Sequence, residues 1–197
     1  MKTKLFANEA FPSPLKNSEF VLEPLHPNHV YLDYEAVMAS KTFLRLWSMS
    51  DWPSDNFTLE DNRRDLQMHF QEFSTHLAYT YTILSPDLRI CLGCVYLNPI
   101  ERIKRLSVKE RNDLSHYSAF VRFWLRQNLQ ETEKELSIFR TIIYWFKKSW
   151  NGNSIIYSCN RLLISTNKMF QDAGLKILLE LSHPNRDELL WYLPEEM

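Results

Sequence analysis

The stretch from Ala119 to Thr132 brings a strand pattern to the start of a helix, and a junction of this kind can hold an anion. In Ala119–Arg126 the apolar and polar or aromatic positions alternate, and this period of two predicts a strand. Thr132 and Glu135 then match a capping box, which predicts a helix start. The unpaired amides and the dipole of a helix N-terminus attract negative charge. The junction is therefore a candidate anion site, with a purely structural turn as the alternative.

Cysteine and histidine are the other residue types with obvious chemistry. Cys91 and Cys94 form a single C-x-x-C, and no second pair stands at ligand spacing. In a regular strand, side chains three residues apart point to opposite faces, so we expect these two to pack in the core. The six histidines match neither H-x-x-x-H nor H-E-x-x-H. We therefore expect no metal site.

Composition limits the class of protein. The 197 residues carry a net charge of −1 with a pI of about 6.6, so no overall basic field favours nucleic acid or anionic lipid as a partner. No apolar run approaches the ~18 residues of a membrane span, and residues 1–15 lack an apolar signal core. Three cysteines, an odd count, fit a reducing compartment. We expect a cytoplasmic monomer or homodimer.

The elements that would position these residues form one α/β domain over residues 18–197, after an extended arm over residues 1–17. Residues 47–57 are expected to be an aromatic loop and residues 101–114 a solvated, charged connection. The predicted strands are Phe20–Leu25, Ala78–Leu84, Ile90–Leu97, Ala119–Arg126, Ile155–Cys159, Leu175–Ser182 and Glu188–Leu193. The predicted helices are Pro27–Ser40, a helix capped at Thr58, a long helix from Thr132 to near Asn151, and Ser165–Ala173. In the first helix the residues expected to face inward are Val30, Tyr34, Val37 and Met38. In the second the residues expected to be buried are Leu59, Leu66, Phe70, Phe73 and Leu77.

The resulting order is β-α-α-β-β-β-α-β-α-β-β, in which a mixed, mostly antiparallel sheet of about seven strands is flanked by about four helices. With a sheet broken after its fourth strand, this order resembles the GNAT superfamily of acyl-CoA N-acyltransferases. The local matches are Phe20–Leu25 before a helix, the Ala78–Pro99 hairpin, Phe123–Arg126 ending the fourth strand, and Met169–Leu175. The segments Trp52–Asn62 and Cys91–Tyr96 are similar to those of an uncharacterised bacterial branch.

The resemblance implies direct transfer of an acetyl group from acetyl-CoA to the amine of a small molecule or peptide. It assigns backbone contacts with the pantetheine arm to Phe123, Trp124 and Leu125. Arg126 and Thr132 would lie near the pyrophosphate. Phe170 stands where the superfamily often has a tyrosine that protonates the leaving thiolate, and phenylalanine cannot do so.

The phosphate loop also departs from the superfamily pattern. Its two glycine places hold other residues, and Glu131, Glu133 and Glu135 stand where a pyrophosphate needs positive potential. These glutamates would also satisfy the dipole at a helix start. The alternative function is therefore a GNAT-fold binding or interaction module without acetyl-CoA affinity or catalysis.

The acceptor groove of the superfamily is lined by the loop between the first two helices. On this chain the resemblance places Asp51, Trp52 and Glu60 there. Either carboxylate could attract a cationic amine or act as a general base through water, and Trp52 could be a substrate platform. The alternatives are purely structural roles, namely first-turn capping by Glu60 and core packing by Trp52. His116 and Tyr117, at the start of the fourth strand, are either acceptor-site residues or ordinary edge positions.

Overall fold

The computed structural model describes residues 14–104, 106–150, 154–184 and 186–194 of the chain, and within them one mixed sheet holds eight strands. The strands are β1 (Leu15–Lys16), β2 (Val21–Pro24), β3 (Tyr79–Leu84), β4 (Cys91–Pro99), β5 (Ala119–Leu125), β6 (Ile155–Asn160), β7 (Lys176–His183) and β8 (Arg186–Tyr192). The helices are α1 (Val30–Ala39), α2 (Lys41–Ser48), α3 (Leu59–Ser74), α4 (Val108–Asp113), α5 (Glu133–Ser149) and α6 (Ile164–Asp172). The strand order is β1-β2-β3-β4-β5-β6-β8-β7. The predicted mixed, mostly antiparallel architecture is confirmed, with slightly more strands and helices than expected.

The sheet parts between β5 and β6, which are the parallel pair among otherwise antiparallel neighbours. Their registered pairs run from Ala119–Ile155 to Val121–Tyr157 and go no further. The backbone edge of Phe123–Leu125 that faces β6 is therefore outside the ladder. This confirms the predicted break after the fourth of the strands expected from the sequence.

The two faces of β5 follow the predicted alternation. Phe123 packs on Phe139 of α5, with ring centroids 5.2 Å apart. On the other face, the indole N–H of Trp124 donates to the Tyr96 hydroxyl at 3.3 Å. Both faces are buried, because α5 covers one and the α1–α3 side covers the other.

The inward faces of α1 and α3 differ from those predicted. In α1 the buried residues are Val30, Asp33, Ala36 and Val37, whereas Tyr34 and Met38 are only partly buried. In α3 the inward row contains Asn62, Leu66 and Phe73, while Phe70 is 40% exposed. Leu66 and Phe73 are therefore inward as predicted, and Phe70 is not. The polar Asn62 can join this buried row because its amide donates to the Val30 carbonyl at 3.2 Å.

Two helices were missed. The predicted aromatic loop begins within α2, which contains Trp47, and the predicted solvated connection contains α4. A capping box between Ser107 and Glu110 starts α4, so the sequence did carry its signal. The capping box of Thr58 and Asp61 that starts α3 is confirmed.

Of the predicted arm, residues 1–13 lie outside the described part, and Leu15–Lys16 pairs antiparallel with β2. Within the described ranges, no helix combines the length and hydrophobicity needed to cross a bilayer.

Phe170 of α6 lies inside an aromatic cluster of the core. It is 1% exposed and stacks on Phe139, with centroids 4.5 Å apart and planes 6° from parallel. Trp191 and Tyr157 meet its ring edge-on. Gly174 follows α6 with φ of +91°, which confirms its predicted role in ending the helix.

We predict that Phe170→Tyr lowers the free energy of unfolding by about 1–3 kcal/mol, because its hydroxyl would be buried among aromatic rings without a partner. Urea denaturation measures the change. Phe70→Tyr is the matched control, since Phe70 is partly exposed on α3 and its hydroxyl would reach solvent. Equal stability of Phe170→Tyr and the parent protein would contradict this packing.

Candidate functional site

A cavity of about 300 Å³ lies between α1, α3, β4 and the end of α2. Among the described residues that line it there are two carboxylates, one histidine and three large aromatic side chains, and none is lysine or arginine. Its lining is Leu25, Asp33, Trp47, Ser48, Ser50, Trp52, Asn62, Asp65, Leu66, Met68, His69 and Tyr96. Carboxylates without a lysine or arginine partner favour a cationic guest, and aromatic walls favour one too.

His69, which lines this cavity, is paired with the carboxylate of Glu72 one turn later on α3. Its Nδ1 lies 3.4 Å from the Glu72 carboxylate and 3.4 Å from the Thr80 hydroxyl. Hydrogen bonding from His69, assisted by Arg102 at 2.8 Å, lowers the pKa of Glu72 to about 2, so Glu72 is ionised at neutral pH. An ionised carboxylate favours the tautomer that carries its proton on Nδ1, which leaves the Nε2 lone pair free to accept a proton. Among the described residues, none hydrogen-bonds to that Nε2.

Asp65 and Trp52 form the second polar element of this cavity. Burial raises the pKa of Asp65 above its ordinary value, and a hydrogen bond from Trp52 partly offsets this. Trp52 also meets Trp47 and Phe57 through its ring, so one side chain is both packed and hydrogen-bonded. Asp65 lies four residues before His69 on α3, so the two project from the same side of the helix.

Trp47 links this cavity to the parting between β5 and β6. Its indole N–H donates to the Phe123 carbonyl at 2.7 Å, and the Arg122 guanidinium lies 4.1 Å above its ring. The Asn160 amide of β6 donates to the Leu46 carbonyl at 2.6 Å. The end of α2 is therefore attached to both strands, and the cavity borders the free half of β5.

A second cavity, of about 550 Å³, lies between the start of α5 and α6 on the other side of the sheet. Four carboxylate side chains line it, namely Glu131, Glu133, Glu135 and Asp172. Lys168 is the lining cation among the described residues, and it pairs with Asp172 at 2.7 Å. The surroundings of this cavity are therefore acidic.

Glu135 is hydrogen-bonded to the residues that precede α5. Its carboxylate accepts the Glu131 N–H at 2.8 Å, and its own N–H donates to the Thr132 hydroxyl oxygen at 3.2 Å. Glu131 reaches this position with φ of +62°, a left-handed conformation that turns its amide toward the helix. The side chain of Glu135 is buried, and burial is the first cause that raises its pKa to about 7. The Glu135 carboxylate thus occupies the Glu131 N–H, which an anionic ligand at this helix start would otherwise bind.

The residues that the resemblance assigned to the cofactor are not all at one place. Thr132 lines the acidic cavity. Arg126 is bound to the exposed Glu35 and, at 2.6 Å, to the Cys91 carbonyl. The Leu125 carbonyl accepts a hydrogen bond from Gln130 at 2.9 Å, as the Phe123 carbonyl does from Trp47. Phe170 lies in the core and does not line either cavity.

The residues that the resemblance assigned to the acceptor groove also lie at different places in the structure. Trp52 lines the first cavity. Asp51 is exposed beside it without lining it, and Glu60 is exposed and pairs with Arg63 at 3.3 Å. His116 is exposed at the start of β5, and Tyr117 packs against a small satellite cluster. Tyr117 lies six positions before Phe123, which is roughly 20 Å along an extended chain.

Sequence reasoning missed Asp33, Asp65, His69 and Tyr96, which the fold brings together. A signal existed for two of them, because Asp33 follows Val30 by three residues and His69 precedes Phe73 by four. A polar residue on an otherwise buried helical row needs a partner or a function. Tyr96 carried no such signal, since an aromatic residue in a strand is ordinary.

The prediction that Cys91 and Cys94 point to opposite faces is wrong. Ile83 pairs with Gly93, but Leu84 pairs with Cys91, so Leu92 is an extra residue in β4. This β-bulge places both sulfur atoms within 4.8 Å of each other and of an Asp33 carboxylate oxygen. Both thiols are buried and free.

Comparison with solved structures shows what this architecture is. The acetyltransferase from Salmonella typhimurium that modifies the N-terminal serine of ribosomal protein L7/L12 aligns with a TM-score of 0.64 at 14% identity, over 89% of this chain and 94% of its own. The L7/L12 alpha-N-protein acetyltransferase RimL in complex with coenzyme A aligns with a TM-score of 0.66 at 16% identity, over 91% and 96%. The chain has the GNAT fold.

A third GNAT-fold structure is the microcin C7 self-immunity acetyltransferase MccE in complex with acetyl-CoA and AMP. It aligns with a TM-score of 0.66 at 14% identity, over 89% of this chain and 92% of its own. No protein-family model matches this chain, and no curated protein sequence matches it. The identities are low, so these likenesses establish the GNAT fold.

We predict that Glu135→Gln removes a pH dependence of stability. The folded pKa of about 7 exceeds the ordinary 4.5, so folded Glu135 holds its proton where the unfolded chain has lost it. Its contribution is therefore complete below about pH 4.5 and is lost as pH rises toward 7. Between pH 5 and 8 the parent protein should lose on the order of 2–3 kcal/mol relative to the variant.

Urea denaturation at several pH values measures this difference. Glu133→Gln is the control, because Glu133 is exposed in the same turn of α5 and its variant should keep the slope of the parent protein. A parental slope retained in Glu135→Gln would show that the buried carboxylate is not its source.

Proposed function

We propose that the protein is an N-acyltransferase that moves an acetyl group from acetyl-CoA to the amine of a small molecule or peptide. The observation that carries the proposal is the His69–Glu72 pair, because His69 lines a carboxylate-containing cavity beside the parting of β5 while its Nδ1 faces Glu72. A proton acceptor fixed in this way suits an amine, which must lose a proton to become a nucleophile. The likeness to acetyltransferases of the GNAT fold supports the reaction class.

The acceptor would enter as an ammonium ion. Asp33 and Asp65 supply negative charge or hydrogen-bond acceptors, and the ring of Trp52 can stabilise a cation. A cavity of about 300 Å³ fits a small amine or the N-terminal residue of a peptide.

His69 would then accept the ammonium proton at Nε2, while Glu72 stabilises the imidazolium through Nδ1. The neutral amine would attack the thioester carbonyl directly and form a tetrahedral oxyanion. Its collapse would break the C–S bond, and the remaining excess N–H proton would pass to the departing thiolate. By the GNAT resemblance, a backbone N–H on the free edge of β5 would stabilise the oxyanion. A thiolate leaves readily because a thiol pKa is near 8.5, so a tyrosine at position 170 is not required.

The second candidate function is a GNAT-fold module that binds a partner without acetyl-CoA. The acidic second cavity favours it, because Glu135 already holds the Glu131 amide where the pyrophosphate is expected. Under this reading the first cavity would bind an amine without transferring anything to it. The two functions differ in whether coenzyme A binds.

If the protein is an acyltransferase, acetyl-CoA at 100 times its dissociation constant should stabilise it by about 2.7 kcal/mol. For a chain of this length, this corresponds to a rise in Tm of roughly 5–10 °C. Thermal denaturation with millimolar acetyl-CoA at pH 6 measures the shift, and Glu135→Gln should bind more tightly than Glu133→Gln at pH 8. No shift in either condition would favour the binding module.

We further predict that His69→Gln lowers acetyl transfer by roughly 10²–10⁴-fold, the usual value of a general base. Release of coenzyme A with a panel of primary amines measures the rate. Glu72→Gln should produce a smaller loss and move the pH profile, since it removes the charge that selects the tautomer. Asp51→Asn is the control outside the cavity, and an equal loss there would remove His69 from this role.

A further inference from the structure

We propose that Asp33, Cys91 and Cys94 form a binding site for a thiophilic divalent cation, Zn²⁺ by its chemistry, next to the first cavity, which Asp33 lines. One donor atom from each residue lies within 4.8 Å of the other two. The three come from two elements, α1 and β4, so the fold and not local sequence brings them together. The proposal concerns binding of a cation and does not depend on acetyl transfer.

The backbone of β4 is shaped so that both thiols reach this point. Cys94 pairs with Thr82 and Cys91 with Leu84, and residues two apart on β3 share a face. The extra residue at Leu92 therefore moves Cys91 to the side of Cys94 and of α1. Gly93 permits the bend, because a Cβ there would lie 2.0 Å from the Trp124 carbonyl oxygen.

The donor set suits zinc. Two thiolates and a carboxylate are zinc ligands, at metal distances of about 2.0–2.3 Å. A tetrahedral site then places donors roughly 3.3–3.8 Å apart, so side-chain shifts of about an ångström would complete it. Three protein ligands also leave the fourth position of the tetrahedron for water or for a group in the cavity.

Asp33 gives an independent reason to expect a cation. Its side chain is buried, and the partners that the structure shows for it are the Asn62 amide and the Cys94 thiol at 3.5 Å. Within the described ranges, no lysine or arginine pairs with it. A buried carboxylate is costly unless it is neutral, paired or bound to a metal. Asp33 also lines the first cavity, which supplies an entry path.

Cobalt is the probe for this site, because Co²⁺ replaces Zn²⁺ at thiolate sites and its thiolate charge-transfer absorption reports bound sulfur. The chain is treated with a chelator and a phosphine reductant and is then titrated with Co²⁺ without coenzyme A. We expect one Co²⁺ per chain, displaced by one Zn²⁺, and a rise in Tm with Zn²⁺ that Mg²⁺ does not produce. Absence of the thiolate band in the reduced parent protein overturns the proposal.

Single variants locate the donors. Cys91→Ser, Cys94→Ser and Asp33→Asn should each lose the band or weaken binding, with folding checked by circular dichroism. Cys159→Ser is the matched control, since Cys159 is a buried free thiol on β6 outside the cluster. A band that survives both serine variants at Cys91 and Cys94, or that Cys159→Ser also abolishes, overturns the assignment. If a cluster variant does not fold, the Tm of the parent protein and of Cys159→Ser is measured with and without Zn²⁺. Both proteins should show the same rise in Tm with Zn²⁺ and none with Mg²⁺. A rise that Cys159→Ser abolishes, or no rise in either protein, overturns the proposal.

Discussion

The attachment of α2 across the opening between β5 and β6 is the contact on which the candidate site depends. The Trp47 indole is bonded to the Phe123 carbonyl at 2.7 Å, and Asn160 is bonded to the Leu46 carbonyl at 2.6 Å. The Phe123 carbonyl lies where the β5–β6 ladder has ended, so it needs a donor from elsewhere. The same indole then becomes a wall of the first cavity. Without this contact, the cavity and the free edge of β5 would not share a boundary.

The two cavities are both acidic, but their acidity has opposite consequences. In the first, Asp33 and Asp65 face a space that a cationic amine can enter. In the second, the glutamates of the α5 start occupy the region where the fold would place phosphates. If the proposed acyltransferase function holds, cofactor binding would depend on proton uptake by Glu135. The pKa of about 7 places that uptake near neutral pH.

The thiol cluster next to the first cavity is a feature that GNAT topology does not require. A bulge at Leu92 gathers two thiols beneath a buried carboxylate, and Asp33 belongs both to this cluster and to the cavity wall. Asp33 would therefore link the proposed cation site to the proposed amine site.

Local patterns in the sequence were sufficient for much of the architecture. The alternation in Ala119–Leu125 gave the two faces of β5, and the caps at Thr58 and Thr132 gave the starts of α3 and α5. The position of Gly174 gave the end of α6. These features depend on neighbours within a few residues, where periodicity and hydrogen bonding to the nearest amides decide the conformation. The resemblance built on them led to the fold.

The tertiary structure decided which side chains meet. The rotation of α3 brings His69 and Asp65 to the first cavity and leaves Phe70 partly exposed, and the hydrogen bond from Asn62 to α1 is compatible with only this rotation. The register shift between β3 and β4 put Cys91 and Cys94 on one face, against the period of a regular strand. Helix rotation and strand register are set by contacts between residues far apart in sequence. A pattern read along one segment contains the period of that segment but not its phase relative to the rest of the fold.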